Sequence, residues 1–250
     1  MTLSPADKRR AFRALHRDGC FILPNPWDIG SARVLEAAGF KALASTSSGA
    51  AAAVGRKDGE LTRDEVLAHL RGLAAATDLP LNADFEGGFA DDPEEVAANV
   101  ALAVETGVAG LSIEDRTGRA LYETRHAVER IAAARAAIDG EDVILVARTE
   151  GFLIGQTDVH AAIDRLVTMA QAGADCLYAP GMDDPAAIAA LVRAVAPKAV
   201  NVLLRRGAIT VPELADLGVR RVSTGGELAH IARRALEAAA QSLVEVGGYP

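Results

Sequence analysis

The chain has 250 residues, half of them hydrophobic, and a formal net charge of -8. That is enough for one substantial core, and an acidic surface repels phosphate backbones, which argues against nucleic acid as a partner. Its two cysteines, Cys20 and Cys176, lie in apolar runs and read as small buried thiols in a reducing compartment rather than as a disulfide framework.

The opening stretch, "MTLSPADKRRAF", carries charge where a signal peptide needs an apolar core, and no apolar run is long enough to span a bilayer. The expectation is a cytoplasmic protein with no membrane association. Ser4 as cap, Pro5 in the first turn and Asp7 three residues after the cap start an extra helix over about 5–17. From there, short apolar runs alternate with amphipathic ones. Strands are expected at 20–24, 42–46, 79–85, 111–115, 144–149, 176–180, 199–204 and 220–226. Helices are expected at 29–38, 62–76, 94–106, 125–138, 158–172, 184–195, 212–217 and 227–246. The phrases "EAAGFKAL", "ETGVAGL", "QAGADCL" and "ADLGVRRV" each read as a helix ending at glycine and entering a strand, so the repeat is the βα unit itself. Eight such units in one domain, 1–250, fit a closed (β/α)8 barrel, a TIM barrel. A doubly wound sheet is the runner-up, but no G-x-G-x-x-G follows the first strand.

In such a barrel the active site lies at the C-terminal ends of the strands. The third strand delivers Asn82 and Asp84 there, with Glu86 two residues on, and the fourth delivers Glu114. The fifth delivers Arg148 and Glu150, the sixth Tyr178, the seventh Asn201, and the eighth "STGG". Alternate residues of a strand point the same way, so the carboxylates can converge. Clustered carboxylates in a partly dry mouth repel one another unless a cation sits among them, and oxygen ligands without histidine or cysteine point to Mg²⁺. Asp91, Asp92 and Glu94 read instead as the start of helix 94–106, and Asp115 is expected to pair with Arg116 or Arg148. No lysine lies at the C-terminal end of a strand for a Schiff base, and no G-x-S-x-G marks a serine hydrolase.

The stretches "NADFEGGFADDPEEVAANV", "GLSIED", "ILVARTE", "ADCLYAPG" and "VGRKDGELTRDE", in their order along the chain, resemble the phosphoenolpyruvate mutase/isocitrate lyase superfamily, and most of all its short-chain, carboxyphosphonoenolpyruvate mutase-like members. The resemblance implies a barrel whose last helix is exchanged between subunits in a dimer of dimers. It implies Mg²⁺, a small carboxylate substrate and an enolate-like intermediate. It matches the family's D-x-D pair to Asn82-Ala83-Asp84, giving Asp84 the direct metal contact and Asn82, Glu114 and Asp58 places near the metal water shell. It gives Arg148 the substrate carboxylate or developing charge, and Ser47, Ser48 and Gly49 the substrate-holding loop. Asn201 joins the substrate-binding set. The K-[KR]-C-G-H loop of the family's carbon–carbon lyases is absent from "RTGRALYETRH", residues 116–126, as is the mutases' K-x-x-x-N-S loop, which leaves Tyr122, Arg116 and Arg119 as candidate proton donors and Tyr122 as the catalytic choice. The expected activity is cleavage of a C–C bond, as decarboxylase or simple lyase, beside the carbonyl of a 2-oxo or 2-hydroxy acid. A phosphonomutase and a non-catalytic Mg²⁺–carboxylate-binding barrel are the alternatives.

Overall fold

Helices begin where the sequence places caps. Ser4, Asp28, Thr62, Asp92, Asp158 and Asp184 each accept a backbone N–H of their own first turn, and Pro5, Pro93 and Pro185 open their helices. The computed structural model describes residues 3–207 and 209–249. Its helices are α1 (Pro5–Leu15), α2 (Ile29–Ala37), α3 (Ser47–Ala53), α4 (Arg63–Ala76), α5 (Pro93–Glu105), α6 (Thr124–Ala137), α7 (Val159–Gln171), α8 (Pro185–Val195), α9 (Val211–Asp216) and α10 (Glu227–Val246). Glycines end several of them as the repeat implies. Gly107 at φ +91° and Gly173 at φ +110° take up the left-handed turn after α5 and α7 that a side chain would strain.

The barrel strands are β1 (Phe21–Leu23), β2 (Leu43–Ala44), β3 (Leu81–Asp84), β4 (Gly110–Glu114), β7 (Ile144–Arg148), β8 (Cys176–Tyr178), β9 (Ala199–Leu203) and β10 (Arg221–Ser223). Between β4 and β7 lies a hairpin of β5 (Arg116–Thr117) and β6 (Ala120–Leu121). The eight pair in parallel in the order β1-β10-β9-β8-β7-β4-β3-β2. The two ends of that order meet: the Ala44 N–H donates to the Pro24 carbonyl at 3.0 Å, and Asn25 Nδ2 donates to the Ser45 carbonyl at 2.8 Å. The result is the expected (β/α)8 barrel with an N-terminal extra helix.

Two departures matter for function. Residues 47–53, expected as a loop, form α3, because Thr46 caps a run of four alanines. The segment 116–126, expected as a short loop, begins as the β5–β6 hairpin, in which Arg116 pairs with Leu121 and Thr117 with Ala120.

Period-two alternation sorts the strands into two shells. Leu81, Ala83, Leu111, Ile113, Leu145 and Ala147 pack outward against the helices. Phe21, Leu23, Ala44, Ile144, Val146, Cys176 and Ala199 pack with Phe12 as a second cluster inside the barrel. Helix α1 holds Phe12 there, fully buried, with the Lys8 ammonium donating to the carbonyls of Ala74 and Thr77 at the end of α4. Gly110 must lack a side chain, since a Cβ there would come within 2.8 Å of both Asn82 Oδ1 and the Phe12 ring. Phe12 therefore plugs the N-terminal end of the cylinder directly beneath Asn82. Replacing Phe12 by alanine is expected to destabilise the protein by about 3–5 kcal/mol. Urea unfolding followed by circular dichroism measures this, and a loss below about 1 kcal/mol would show that α1 does not close the barrel.

Candidate active site

At the C-terminal ends of β3, β4 and β7, three carboxylates surround one guanidinium. Arg148 Nη1 lies 3.0 Å from Glu114 Oε1 and 3.3 Å from Asp84 Oδ1, and its Nε donates to Glu150 Oε1. Register explains the meeting: Glu114 pairs directly with Arg148 across β4 and β7, and Asp84 is one strand away. Burial alone would lower the Arg148 pKa, but Glu114, Glu150 and Asp84 hold it well above the usual value. Burial pushes Glu114 up to about 8, opposed by Arg148 and reinforced by Glu150 and Asp84. The Tyr178 ring faces this guanidinium, its centroid 5.4 Å from Cζ.

The other Asp84 oxygen is held as firmly. Oδ2 accepts the Ser47 N–H at 2.9 Å, and the Asp84 N–H donates to Ser45 Oγ at 2.8 Å. Past Asp84 the chain turns through Glu86 and Phe89, both in the left-handed region at φ 47° and 58°, a conformation that costs non-glycine residues energy. Arg130 pins this turn. It is fully buried and donates to the carbonyls of Glu114, Gly87 and Ala90. Glu86 is thereby aimed toward Asp84 and Asp58. Burial, then the charges of Asp84 and Asp58, raises its carboxyl to about 7, and its buried Oε1 has no partner among the described residues.

A cavity of about 150 Å³ opens beside this cluster. Asp58, Asp84, Arg148, Tyr178, Ser45, Ser47 and Ser48 line it near the mouth, and Asn82, Ser112, Ser223 and Arg221 line it deeper. Among the described residues, no three His, Cys, Asp or Glu side chains lie close enough to clasp an ion by themselves. The donor set instead fits a hard cation held by one fixed carboxylate, with neighbouring carboxylates reached through water, and the orphaned Glu86 oxygen is the kind of atom such a shell satisfies.

The expected site residues divide. Arg148, Asp84 and Glu114 meet, and Ser47, Ser48 and Asp58 border the same cavity. Asn82 lines the cavity with Asp84 and turns its oxygen to Arg221 Nη1 at 3.2 Å, while Glu86 borders the neighbouring groove with its charge facing Asp84 and Asp58. Asn201 lies below the mouth, buried, with its oxygen accepting from Arg221 and its amide donating to Ser223 Oγ. Gly49 faces the groove between α3 and α10, packed so tightly that a Cβ would sit 2.6 Å from the Thr46 methyl and 2.9 Å from Trp27. Tyr122 lies outside the cavity, in a groove with Glu86 and Arg116, donating to Asp91 and stacked 4.4 Å from the Arg130 Cζ. Asp115 pairs with Arg165 of α7, not with Arg116 or Arg148, and its other oxygen caps the Glu150 N–H at 2.9 Å. Sequence reasoning gave no role to Glu150 or Arg221. The alternation of Arg221 and Ser223 on the last strand was the available signal for the second.

Charged groups gathered at the C-terminal mouth of an α/β barrel define a barrel enzyme. Residues 12–244 match the family described as phosphoenolpyruvate phosphomutase, and the chain belongs to it. It is thus an enzyme of the phosphoenolpyruvate mutase/isocitrate lyase superfamily. It is 34% identical over 217 residues to an uncharacterised protein of Mycobacterium tuberculosis, covering 86% of this chain and 81% of that one. It is 32% identical over 181 residues to 2-methylisocitrate lyase of Escherichia coli, covering 68% and 60%, and 28% identical over 251 residues to oxaloacetate decarboxylase of Paraburkholderia xenovorans, covering 94% and 82%. The chain spans under two thirds of the Escherichia coli lyase. Among solved structures, one from Burkholderia cenocepacia J2315, named no more closely than lyase/mutase, is 47% identical with a TM-score of 0.94, covering 98% and 91%. That of 2,3-dimethylmalate lyase is 27% identical with a TM-score of 0.88, covering 99% and 90%.

Because Arg130 fixes the turn carrying Glu86, Arg130→Met is expected to take the guanidinium donor from one buried and two partly buried carbonyls and to lower stability by about 2–5 kcal/mol. Hydrogen exchange should then quicken first at residues 86–90; protection unchanged there would count against the pinning role.

Proposed function

We propose that the protein is a Mg²⁺-dependent lyase that breaks a carbon–carbon bond beside the carbonyl of a small 2-oxo or 2-hydroxy acid. The observation that carries this reading is the fixed Asp84 carboxylate, flanked by Glu114, Glu86 and Asp58, beside the buried Arg148 guanidinium. Asp84 would hold the ion, with Glu86, Glu114 and Asp58 ordering its water. Bound there, Mg²⁺ supplies Lewis-acid polarisation of the keto and carboxylate oxygens.

The chain's own residues do the rest. Arg148 sits where negative charge collects on the keto oxygen as the electron pair of the broken bond moves onto it. Ser48, at the N-terminus of α3, borders the cavity with its hydroxyl, which lies 3.1 Å from Thr46 Oγ1. The Ser47 amide is already given to Asp84 and that of Gly49 to Thr46, so those two steady the site rather than the substrate. Decarboxylation asks least of this arrangement. Carbon dioxide leaves, the charge rests on the keto oxygen, and the carbon later takes a proton from water at the open mouth. No residue of 116–126 borders the cavity to serve a second partner, which favours a decarboxylase or simple lyase over an isocitrate-type lyase. The names of the relatives in both comparisons support lyase chemistry.

Mg²⁺ titration calorimetry with turnover assays on oxaloacetate and methylated malates tests the reading. Asp84→Asn is expected to weaken Mg²⁺ binding at least about a hundred-fold and to abolish turnover. In the native protein, affinity for Mg²⁺ should rise from about pH 6 to about pH 8. Below its pKa of about 7, Glu86 is protonated and neutral, so protons compete with the ion, and that competition fades as pH rises through this value. Mg²⁺ bound equally by the Asp84→Asn variant, or no turnover of any 2-oxo or 2-hydroxy acid, would overturn the assignment.

A homo-oligomer, arranged as a dimer of dimers by exchange of α10, is the second part of the proposal. Within one chain α10 buries none of its 20 residues and leaves Leu236 68% and Val244 87% exposed. No helix among the described residues is long and apolar enough to cross a membrane, and a partner subunit is the apolar cover that fits. Sedimentation equilibrium should give the mass of four chains, and Leu236→Asp should shift it downward. A native monomer at micromolar concentration would refute the exchange.

A further inference from the structure

Four neighbouring strands carry polar side chains on one rung of the barrel. Arg148 on β7 pairs in register with Tyr178 on β8, Tyr178 with Asn201 on β9, and Asn201 with Arg221 on β10. One buried phenol thus stands between two buried guanidinium groups. Its ring centroid lies 5.4 Å from the Arg148 Cζ. On the other side the hydrogen bonds all run one way. Arg221 Nε donates to Asn201 Oδ1 at 2.9 Å, and Asn201 Nδ2 donates to Ser223 Oγ at 3.0 Å. Ser223 in turn gives its hydrogen bond to the Tyr178 oxygen. Burial raises the Tyr178 phenol, and the Arg148 charge and the Ser223 hydrogen bond oppose that rise.

No carboxylate among the described residues pairs with Arg221, whose Nη1 goes to the neutral Asn82 amide at 3.2 Å. A buried cation with only amide acceptors is costly, and an apolar side chain at the same place would avoid that cost. What the cation does there is polarise the chain of donors that ends at the phenol. Most other groups lining the cavity have no proton to give. Guanidinium groups keep theirs, hydroxyls of serine and threonine and amides of asparagine are too weakly acidic, and Asp84 accepts through both oxygens. Asp58 is exposed to solvent. Tyr178 is the buried acid that lines the same space.

We infer that Tyr178 is the catalytic acid of the site, handing a proton to the carbon left by the broken bond, with Ser223, Asn201 and Arg221 as positioning residues behind it. The inference rests on the reaction proposed above, in which water at the mouth is the source of that proton; Tyr178 is its last carrier. The electron pair of the enolate double bond forms the new C–H bond with the phenol proton, and the keto C=O is restored. The O–H pair stays on the phenol oxygen, so negative charge passes from one oxygen beside Arg148 to another. Water then gives a proton to the phenolate and departs as hydroxide.

Exchange of the methyl protons of pyruvate into D₂O, followed by proton NMR with the Mg²⁺-loaded protein, reads this proton step without any C–C cleavage. The native protein should catalyse the exchange. Tyr178→Phe should slow it at least about a hundred-fold and slow carbon dioxide release from oxaloacetate far less, so that enolpyruvate leaves and ketonises in solution. A purely structural role would slow both alike. Ser223→Ala should slow exchange roughly five- to tenfold, again more than carbon dioxide release, and it reads the same split should Tyr178→Phe fail to fold. No exchange by the native protein, exchange undiminished in either variant, or equal loss of both steps overturns the role of Tyr178, and leaves the reaction standing where oxaloacetate is still cleaved. Exchange that depends on Tyr178 in a protein that cleaves no 2-oxo or 2-hydroxy acid would overturn the proposed reaction and leave the acid in place.

Discussion

The site depends on one electrostatic arrangement: a guanidinium taken out of water and ringed by carboxylates from neighbouring strands. Arg148 is buried only because Glu114, Glu150 and Asp84 surround it, and in turn its charge opposes the burial that raises the Glu114 and Glu150 carboxyls. Parallel register makes the pairing possible, because directly opposed residues of β4 and β7 carry opposite charges toward the axis. The supporting layer follows from this demand. Asp115 fixes Glu150 through its backbone, Arg165 fixes Asp115, and Arg130 fixes the chain on either side of Glu114 and Glu86. Each of these contacts is long-range in sequence, so the mouth is rigid only once the whole cylinder has formed.

Much of this architecture was legible in the residues. Cap residues, glycine stops and the two hydrophobic periods located the barrel strands and the helices between them to within a few positions, because those signals act within one turn or one strand. Helix α3 was hidden, since its four alanines looked like part of a loop that bears serine and glycine. At the site, Asp84, Glu114 and Arg148 could be read from strand ends and motifs, and they meet. Asn82 could not be placed, because its direction depends on a partner 139 residues away on the last strand. The same holds for Asp115, whose partner lies on α7. Glu86 was underweighted because its aim comes from a strained turn that no periodicity announces.

The hairpin after β4 adds no residue to the lining of the cavity. Tyr122 is spent on Asp91 and Arg130, which ties it to the turn that carries Glu86 instead of to the cavity. The hairpin therefore brings no acid or base of its own to the cavity. Chemistry that needs little beyond charge stabilisation suits such a site, and this is the physical ground for preferring a simple bond cleavage.

The aromatic ring beneath Asn82 has a consequence for traffic. With α1 seated across the lower end, the cylinder is a blind well with a single doorway. Anything that enters must leave by the way it came, and whatever lies deepest leaves last.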